Sequence, residues 1–145
     1  MSKFKLISFS VFVAGLCSII YELLISTIAS YFLGDSVKQF SIIIGIYLFS
    51  MGIGAYLSKF FSDKPLSFFI RIEFVLGIIG GFSVPLIYFS FLYVSPFQLQ
   101  LLCWMLIFVI GLFTGMEVPL LTYVLDHLKV KDTFAKILSL DYIGG

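Results

Sequence analysis

Long runs of apolar residues, separated by short polar stretches, dominate the chain. No Asp, Glu, Lys or Arg occurs from Phe74 to Met116 or across 40–57, and the run 6–33 is interrupted only by Glu22. A helix that crosses a bilayer needs roughly 20 apolar residues. The longest run therefore holds two such helices, divided at Ser95-Pro96, where the proline marks a turn. The pattern predicts an all-α integral membrane protein, a four-helix transmembrane bundle with helices near 7–33, 39–58, 70–94 and 98–125.

The polar segments between these runs are short. Residues 34–36 and 62–65 form predicted turns, and residues 126–136 form a polar segment after the fourth helix. Residues 137–145 are apolar again and predict the start of a fifth helix, truncated where this chain stops. We therefore expect one transmembrane domain over 1–145 that is the front part of a longer protein.

Composition narrows the class of protein. Of the 145 residues, 61% are hydrophobic, 19% aromatic and only 12% charged, whereas soluble domains carry about 25% charged residues. Soluble, disordered, collagenous and disulfide-scaffold proteins are excluded on this ground. The formal net charge of +1 gives no reason to expect nucleic acid as a partner. The lipid bilayer is the expected partner.

Basic residues predict the orientation of the bundle. Lys38 is the one basic residue on its side of the predicted membrane. The opposite side carries Lys3, Lys5, Lys59, Lys64, Arg71, Lys129, Lys131 and Lys136. Because cytoplasmic segments are enriched in Lys and Arg, we expect a multi-pass protein of the cell (inner) membrane with a cytoplasmic N terminus.

Three acidic residues fall where the pattern predicts hydrocarbon: Glu22, Glu117 and Asp141. No Lys or Arg shares the predicted bilayer cores, so each carboxyl must be protonated, hydrogen-bonded in a wet cavity, or neutralised by a cation from elsewhere. A charged group in a spanning helix costs roughly 2.5–3.5 kcal/mol on insertion scales, which favours a functional role for Glu22 and Glu117. The alternative is that protonated acids hydrogen-bond neighbouring helices and hold the bundle together. For Asp141 both interpretations stay open.

The surroundings of these acids differ along the chain. Glu22 shares one helical face with small and polar residues, namely Gly15, Ser18, Ser26 and Ala29, so it is expected to face protein. Pro119 removes a backbone donor and frees a carbonyl near position 115, beside Glu117. Arg71 and Glu73 fall at the predicted entrance of the third helix, where they could pair or snorkel to the interface.

Small residues at four-residue spacing predict helix contacts. Such spacing lets helix backbones approach closely inside a membrane. The predicted packing positions are Gly45, Gly54, Gly77, Gly81, Gly111 and Gly115. They indicate a compact bundle or an oligomer of this chain.

The chain offers no ordinary catalytic or metal-binding set. Cys17 and Cys103 fall inside predicted helices and are read as core thiols. His127, the one histidine, is read as a solvated loop residue. With no Cys/His cluster for zinc and no nucleophile–base set, we expect no catalytic residue, no metal and no cofactor.

Five segments in order resemble a known family. They are AGLCSIIYELL at 14–24, YFLGDS at 31–36, FSMGIGAYLS at 49–58, GLFTGMEVPLL at 111–121 and LDYIGG at 140–145. In order and spacing they resemble the membrane-spanning N-terminal domain of the spermidine synthase-like proteins, which are polyamine aminopropyltransferases. The resemblance covers nearly the whole chain.

The resemblance implies that the acids form an amine site, and it implies no catalytic activity for this chain alone. In that family a Rossmann-like domain follows and transfers an aminopropyl group from decarboxylated S-adenosylmethionine to putrescine. This chain has no counterpart of that catalytic domain, so no aminopropyl transfer is expected from it alone. The positions that match the family motifs form a candidate amine site of Tyr21, Glu22, Glu117 and Asp141, which would bind a polyamine or related amine or conduct it to or from the synthase domain. The implied partners are a polyamine and a synthase domain in cis or in trans.

Two other functions stay open at this point. One is a cation/proton antiporter like the small multidrug-resistance proteins, which the four helices and the Glu22 carboxyl would suit. The other is a passive membrane anchor or scaffold held together by its glycine contacts.

Overall fold

Four long helices form the described part of the protein. The computed structural model describes residues 2–61, 65–127, 139 and 143. The helices are α1 (Ser2–Leu33), α2 (Ser36–Leu57), α3 (Pro65–Phe91) and α4 (Pro96–His127), with a short 3-10 helix, Ser58–Phe61, after α2. All four are long and apolar enough to cross a membrane. The predicted all-helical, four-helix architecture is confirmed. The fifth helix predicted at 137–145, with Asp141, lies outside the described residues except for positions 139 and 143.

The turn between α1 and α2 is made by two residues in the left-handed region. Gly34 has φ +74° and Asp35 has φ +49°, a conformation that glycine adopts without cost and that aspartate tolerates. The Gly34 amide donates to the Ser30 carbonyl (3.0 Å), and the Asp35 carboxylate accepts from the Lys38 amide (3.3 Å). The end of α1 and the start of α2 are thus both capped.

Proline begins the other two helices. At the start of α4, the Ser95 amide donates to Gln98 Oε1 (3.1 Å) and the Gln98 amide donates to Ser95 Oγ (3.4 Å), a capping box around Pro96. α3 begins at Pro65, whereas the apolar pattern put its start near 70. Proline suits the first helical position because its missing N–H is not needed there, so the first turn of α3 includes residues that the pattern left in a loop.

The helices are arranged around a central pair. α1 and α4 each contact all three other helices, while α2 and α3 hardly touch each other. α2 and α3 therefore lie on different sides of the α1–α4 pair. Isoleucines fill the centre, and Ile25, Ile43, Ile87, Ile107 and Ile110 are all fully buried.

Glycine allows close packing between α2 and α4. A Cβ added at Gly54 would overlap the Leu112 backbone, and one at Gly115 would overlap the Met51 backbone. A Cβ at Gly111 would meet the Ser50 hydroxyl. These contacts join the predicted packing positions 54, 111 and 115 into one seam.

The other three predicted packing glycines are placed differently. Gly45, Gly77 and Gly81 are exposed, and a Cβ at any of them meets nothing within 4 Å in the described chain. Their packing prediction therefore corresponds to no helix contact within this part of the protein. Gly80, which was not predicted, is the packed glycine of α3, since a Cβ there would overlap the ring of Tyr21.

Aromatic side chains gather near both ends of the bundle. At one end Phe32 stacks on Phe91, with ring centroids 4.1 Å apart, and meets Tyr88 edge-on at 5.0 Å. At the other end Phe61 stacks on Phe68 with centroids 4.0 Å apart. Between these ends the outer surface exposes many large apolar side chains, a surface that soluble monomers seldom present.

Candidate functional site

Two cavities open along the central pair of helices, one on each side. The α1–α2–α4 cavity has a volume of about 250 Å³ and the α1–α3–α4 cavity about 140 Å³. Ser18, Thr114 and Glu117 line both. Helical spacing explains the shared wall, because Thr114 and Glu117 are three residues apart and so lie on one face of α4.

The α1–α2–α4 cavity brings two of the predicted acids together. Glu22 from α1 and Glu117 from α4 line it, with Tyr47 from α2. The Tyr47 phenol faces both carboxyls and the hydroxyls of Ser18 and Thr114. Tyr47 itself is buried, as is Glu117, which is 5% exposed. The Tyr47 and Glu117 side chains thus lie inside the bundle, whereas Glu22 is half-buried.

The α1–α3–α4 cavity adds an acid that the sequence interpretation placed elsewhere. Glu73 from α3 lines it with Tyr21 and Glu117. Glu73 is half-buried, and its Oε1 atom is buried with no hydrogen-bond partner among the described residues. Arg71, two residues earlier, is exposed, so the two side chains take different directions. Pro65 is the sequence feature that could have placed Glu73 inside the bundle. In a helix that begins at Pro65, residue 73 lies two turns into the apolar part.

A close helix contact positions Tyr21. Because Gly80 has no side chain, the Tyr21 ring lies directly against α3. Its neighbours in space include Cys17 and Glu73. The Ser18 hydroxyl, one turn away, donates to the Gly15 carbonyl at 2.8 Å. The face of small and polar residues predicted around Glu22 is confirmed, since Ser18, Ser26 and Ala29 are all buried.

Two of the three cavity acids, Glu73 and Glu117, lie at similar distances from the same end of the bundle. Glu73 follows the start of α3 by about 12 Å, and Glu117 precedes Val124, at the end of the apolar part of α4, by about 10 Å. Since successive helices run in opposite directions, both carboxyls lie toward the end that holds the α2–α3 connection. Glu22 lies near the middle of the apolar part of α1, Phe12–Leu33.

The two cavities combine carboxyl and apolar groups. Among the residues that the structure describes, no Lys or Arg lines either cavity, and the remaining walls are mostly apolar. Among the described residues no group of His, Cys, Asp or Glu is arranged to hold a metal ion. Carboxyls and phenols in apolar surroundings attract an ammonium strongly, by charge and by cation–π contact. Of the predicted amine site, Tyr21, Glu22 and Glu117 line these cavities, and Asp141 lies outside the described residues.

Comparison with known proteins finds relatives among the polyamine aminopropyltransferases. A polyamine aminopropyltransferase of Leptospira interrogans is 45% identical over 136 residues, which is 93% of this chain and 27% of that protein. Polyamine aminopropyltransferase 2 of Ralstonia nicotianae is 41% identical over 143 residues, 96% of this chain and 28% of the relative. Polyamine aminopropyltransferase 1 of Streptomyces coelicolor is 32% identical over 142 residues, which is 96% of this chain and 26% of that protein.

The chain therefore spans about a quarter of the length of these relatives. No protein-family model matches it. No solved structure matches it.

Proposed function

We propose that this chain is the membrane-spanning bundle of a polyamine aminopropyltransferase, because it is homologous along nearly its whole length to a segment of those proteins. We further propose that it binds an amine cation between α1, α2 and α4. The observation that carries the proposal is that acidic side chains line both cavities, with no basic side chain beside them in the described part of the chain. The amine is a polyamine, the class named for the relatives, and a synthase domain in cis or in trans supplies or receives it.

The position of the aromatic clusters supports membrane insertion. Phe68 and Tyr88, which belong to opposite ends of the bundle, are about 30 Å apart along α3. That is the thickness of the hydrocarbon core of a bilayer. Tyrosine is enriched at its two interfaces, and Tyr88 lies at one end of the bundle and Tyr56, beside Lys59, at the other. The exposed apolar side chains between the clusters would then face lipid.

Charge supports one orientation of the bundle. Lys59 lies at the end that holds the Phe61–Phe68 pair, with its Nζ 3.4 Å from the centroid of the Tyr56 ring. Most basic residues of the sequence fall on that side of the predicted membrane, so we assign that side to the cytoplasm. The acids Glu73 and Glu117 then lie in the cytoplasmic half of the bundle.

Labelling of single cysteines tests this orientation. In a chain with Cys17 and Cys103 replaced by Ala, Lys38→Cys should react with a membrane-impermeant maleimide on intact cells, because residue 38 is exposed at the outer end. Lys59→Cys should react only after permeabilisation. The reverse pattern would contradict the orientation, and equal labelling of both on intact cells would contradict the spanning bundle.

Neutralising the cavity acids tests amine binding. We expect spermidine to raise the Tm of the purified chain. At a spermidine concentration of one hundred times Kd, binding should raise the free energy of unfolding by about 2.7 kcal/mol. Glu22→Gln and Glu117→Gln should each remove this shift, because the amide keeps the shape of the side chain and loses the charge. The matched control is Asp35→Asn, which removes the same charge at the exposed turn.

Three outcomes would contradict amine binding at this site. They are no spermidine shift in the unmodified chain, a shift that persists in both Glu variants, and a shift that Asp35→Asn also removes. Uptake of spermidine into proteoliposomes driven by a proton gradient would favour an antiporter, since a binding bundle alone shows none.

A further inference from the structure

Glu117 and Thr114 stand between two cavities that hold different acids. We propose that the two cavities form one two-headed site for a diamine, in which Glu22 and Glu117 hold the first ammonium and Glu73 holds the second. The methylene chain would cross between α1 and α4 past Ser18 and Thr114. This inference rests on the proposed amine binding and adds to it that one ligand occupies both cavities.

The Thr114 hydroxyl is the observation that points to a ligand at the crossing. It lines both cavities, its residue is 6% exposed, and Oγ1 makes no hydrogen bond among the described residues. The Tyr47 phenol faces the same hydroxyl. A buried hydroxyl without a partner is costly. An ammonium or a water that accompanies it would supply the missing partner.

Glu73 supplies the second head because it lies on the other side of the central helices. Glu22 lines only the α1–α2–α4 cavity and Glu73 only the α1–α3–α4 cavity. One ammonium in either cavity therefore meets only one of these two carboxyls, together with the shared Glu117. Tyr21, which lines the cavity of Glu73, offers a ring for cation–π contact.

The size and lining of the cavities suit a chain with charged ends. At roughly 30 Å³ for each water-sized group, volumes of about 250 and 140 Å³ hold an ammonium and several methylenes each. Apolar side chains line the rest of the walls, Ile19, Leu48 and Met51 in the larger cavity and Val13 and Leu76 in the smaller. A metal ion or a compact monovalent cation would leave these apolar surfaces without a partner.

Matched amines test the proposal by isothermal titration of the purified full chain. Butylamine and 1,4-diaminobutane have the same carbon chain and differ in the second ammonium, and longer diamines up to 1,8-diaminooctane scan the spacing. We expect the best diamine to bind at least tenfold tighter than butylamine. Glu73→Gln should reduce this advantage to about the twofold statistical factor of two equivalent ends, with butylamine binding unchanged.

A second variant separates the site from the charge of Glu73. Gly77 lines the smaller cavity, and a Cβ there meets nothing within 4 Å. Gly77→Leu adds bulk at that wall and leaves every carboxyl in place. It should also remove the diamine advantage and keep butylamine binding.

The outcomes distinguish this inference from the proposed function. If butylamine binds through Glu22 but no diamine exceeds the twofold factor, the two-headed site is wrong and amine binding stands. An advantage that persists in both Glu73→Gln and Gly77→Leu likewise overturns the two-headed site. If no amine binds at all, both proposals are wrong.

Discussion

Replacing Gly54 by Ala is expected to destabilise the bundle by about 3 kcal/mol, although the change adds a single methyl group. The added Cβ would overlap the Leu112 carbonyl and the backbone around it, and a backbone cannot rotate away as a side chain can. Overpacking of this kind costs typically 1–3 kcal/mol or more. The α2–α4 seam would have to open, and with it the wall that holds Tyr47 and Glu117 in place.

Gly52→Ala is the matched control. It lies on the same helix two residues away, and a Cβ there meets nothing within 4 Å. Ala is also the better helix former, so the variant should stay within about 0.5 kcal/mol of the unmodified chain or exceed it slightly. Unfolding in mixed detergent micelles, followed by the fluorescence of Trp104, the one tryptophan, measures both. Equal stability of the two variants would mean that α2 and α4 are not in close contact.

Replacing Ile107 by Ala is expected to cost about 2 kcal/mol. Ile107 is fully buried in the centre of the bundle, and removing its outer carbons leaves a void among groups that cannot fully relax. In a membrane the hydrophobic term between helices is absent, because lipid is as apolar as the core. The loss is therefore that of packing contacts alone, which places it at the low end of the range for Ile→Ala in soluble cores.

Met105→Ala is the control for this change. It lies on the same helix but is 69% exposed, toward lipid in the proposed membrane. Its truncation should change the unfolding free energy by less than about 0.5 kcal/mol. If Ile107→Ala and Met105→Ala unfolded alike, the core described for α4 would be contradicted.

The helices could be predicted from the sequence because their signals are local. A run without charge and a proline at a turn each act within one segment, and the Ser95–Gln98 capping box lies within four residues. The predicted start of α3 is too late because Arg71 and Glu73 interrupt the apolar pattern close to its beginning. That error in turn placed Glu73 at the membrane interface instead of in a cavity.

Partners of the glycines could not be predicted in the same way. Gly77 and Gly81 have the same spacing as Gly111 and Gly115, yet only the second pair meets another helix in the described chain. The spacing shows that a backbone can approach closely, but which helix approaches depends on the assembly of the whole bundle. Gly80, packed against Tyr21, belongs to no such pattern.

The face of Glu22 could be predicted, whereas the composition of its cavity could not. Small and polar residues at helical spacing indicated that α1 turns this face inward, and Ser18 and Ser26 are buried there. Tyr47 carries no mark in the sequence that separates it from the other tyrosines. It reaches the site only because the α2–α4 seam brings its helix against Glu117.

The α2–α4 seam also has a consequence for biosynthesis. Its tightest contacts join Gly54 and Met51 to residues 112 and 115, so α2 leaves the ribosome long before its closest partner exists. Until α4 is inserted, α2 has only α1 to pack against, and the carboxyl of Glu22 has no completed cavity around it. α4, the last of the four described helices to be made, is thus the one that completes the seam, and a nascent chain interrupted between α3 and α4 would present an unpaired glycine surface to the machinery that inserts and inspects membrane proteins.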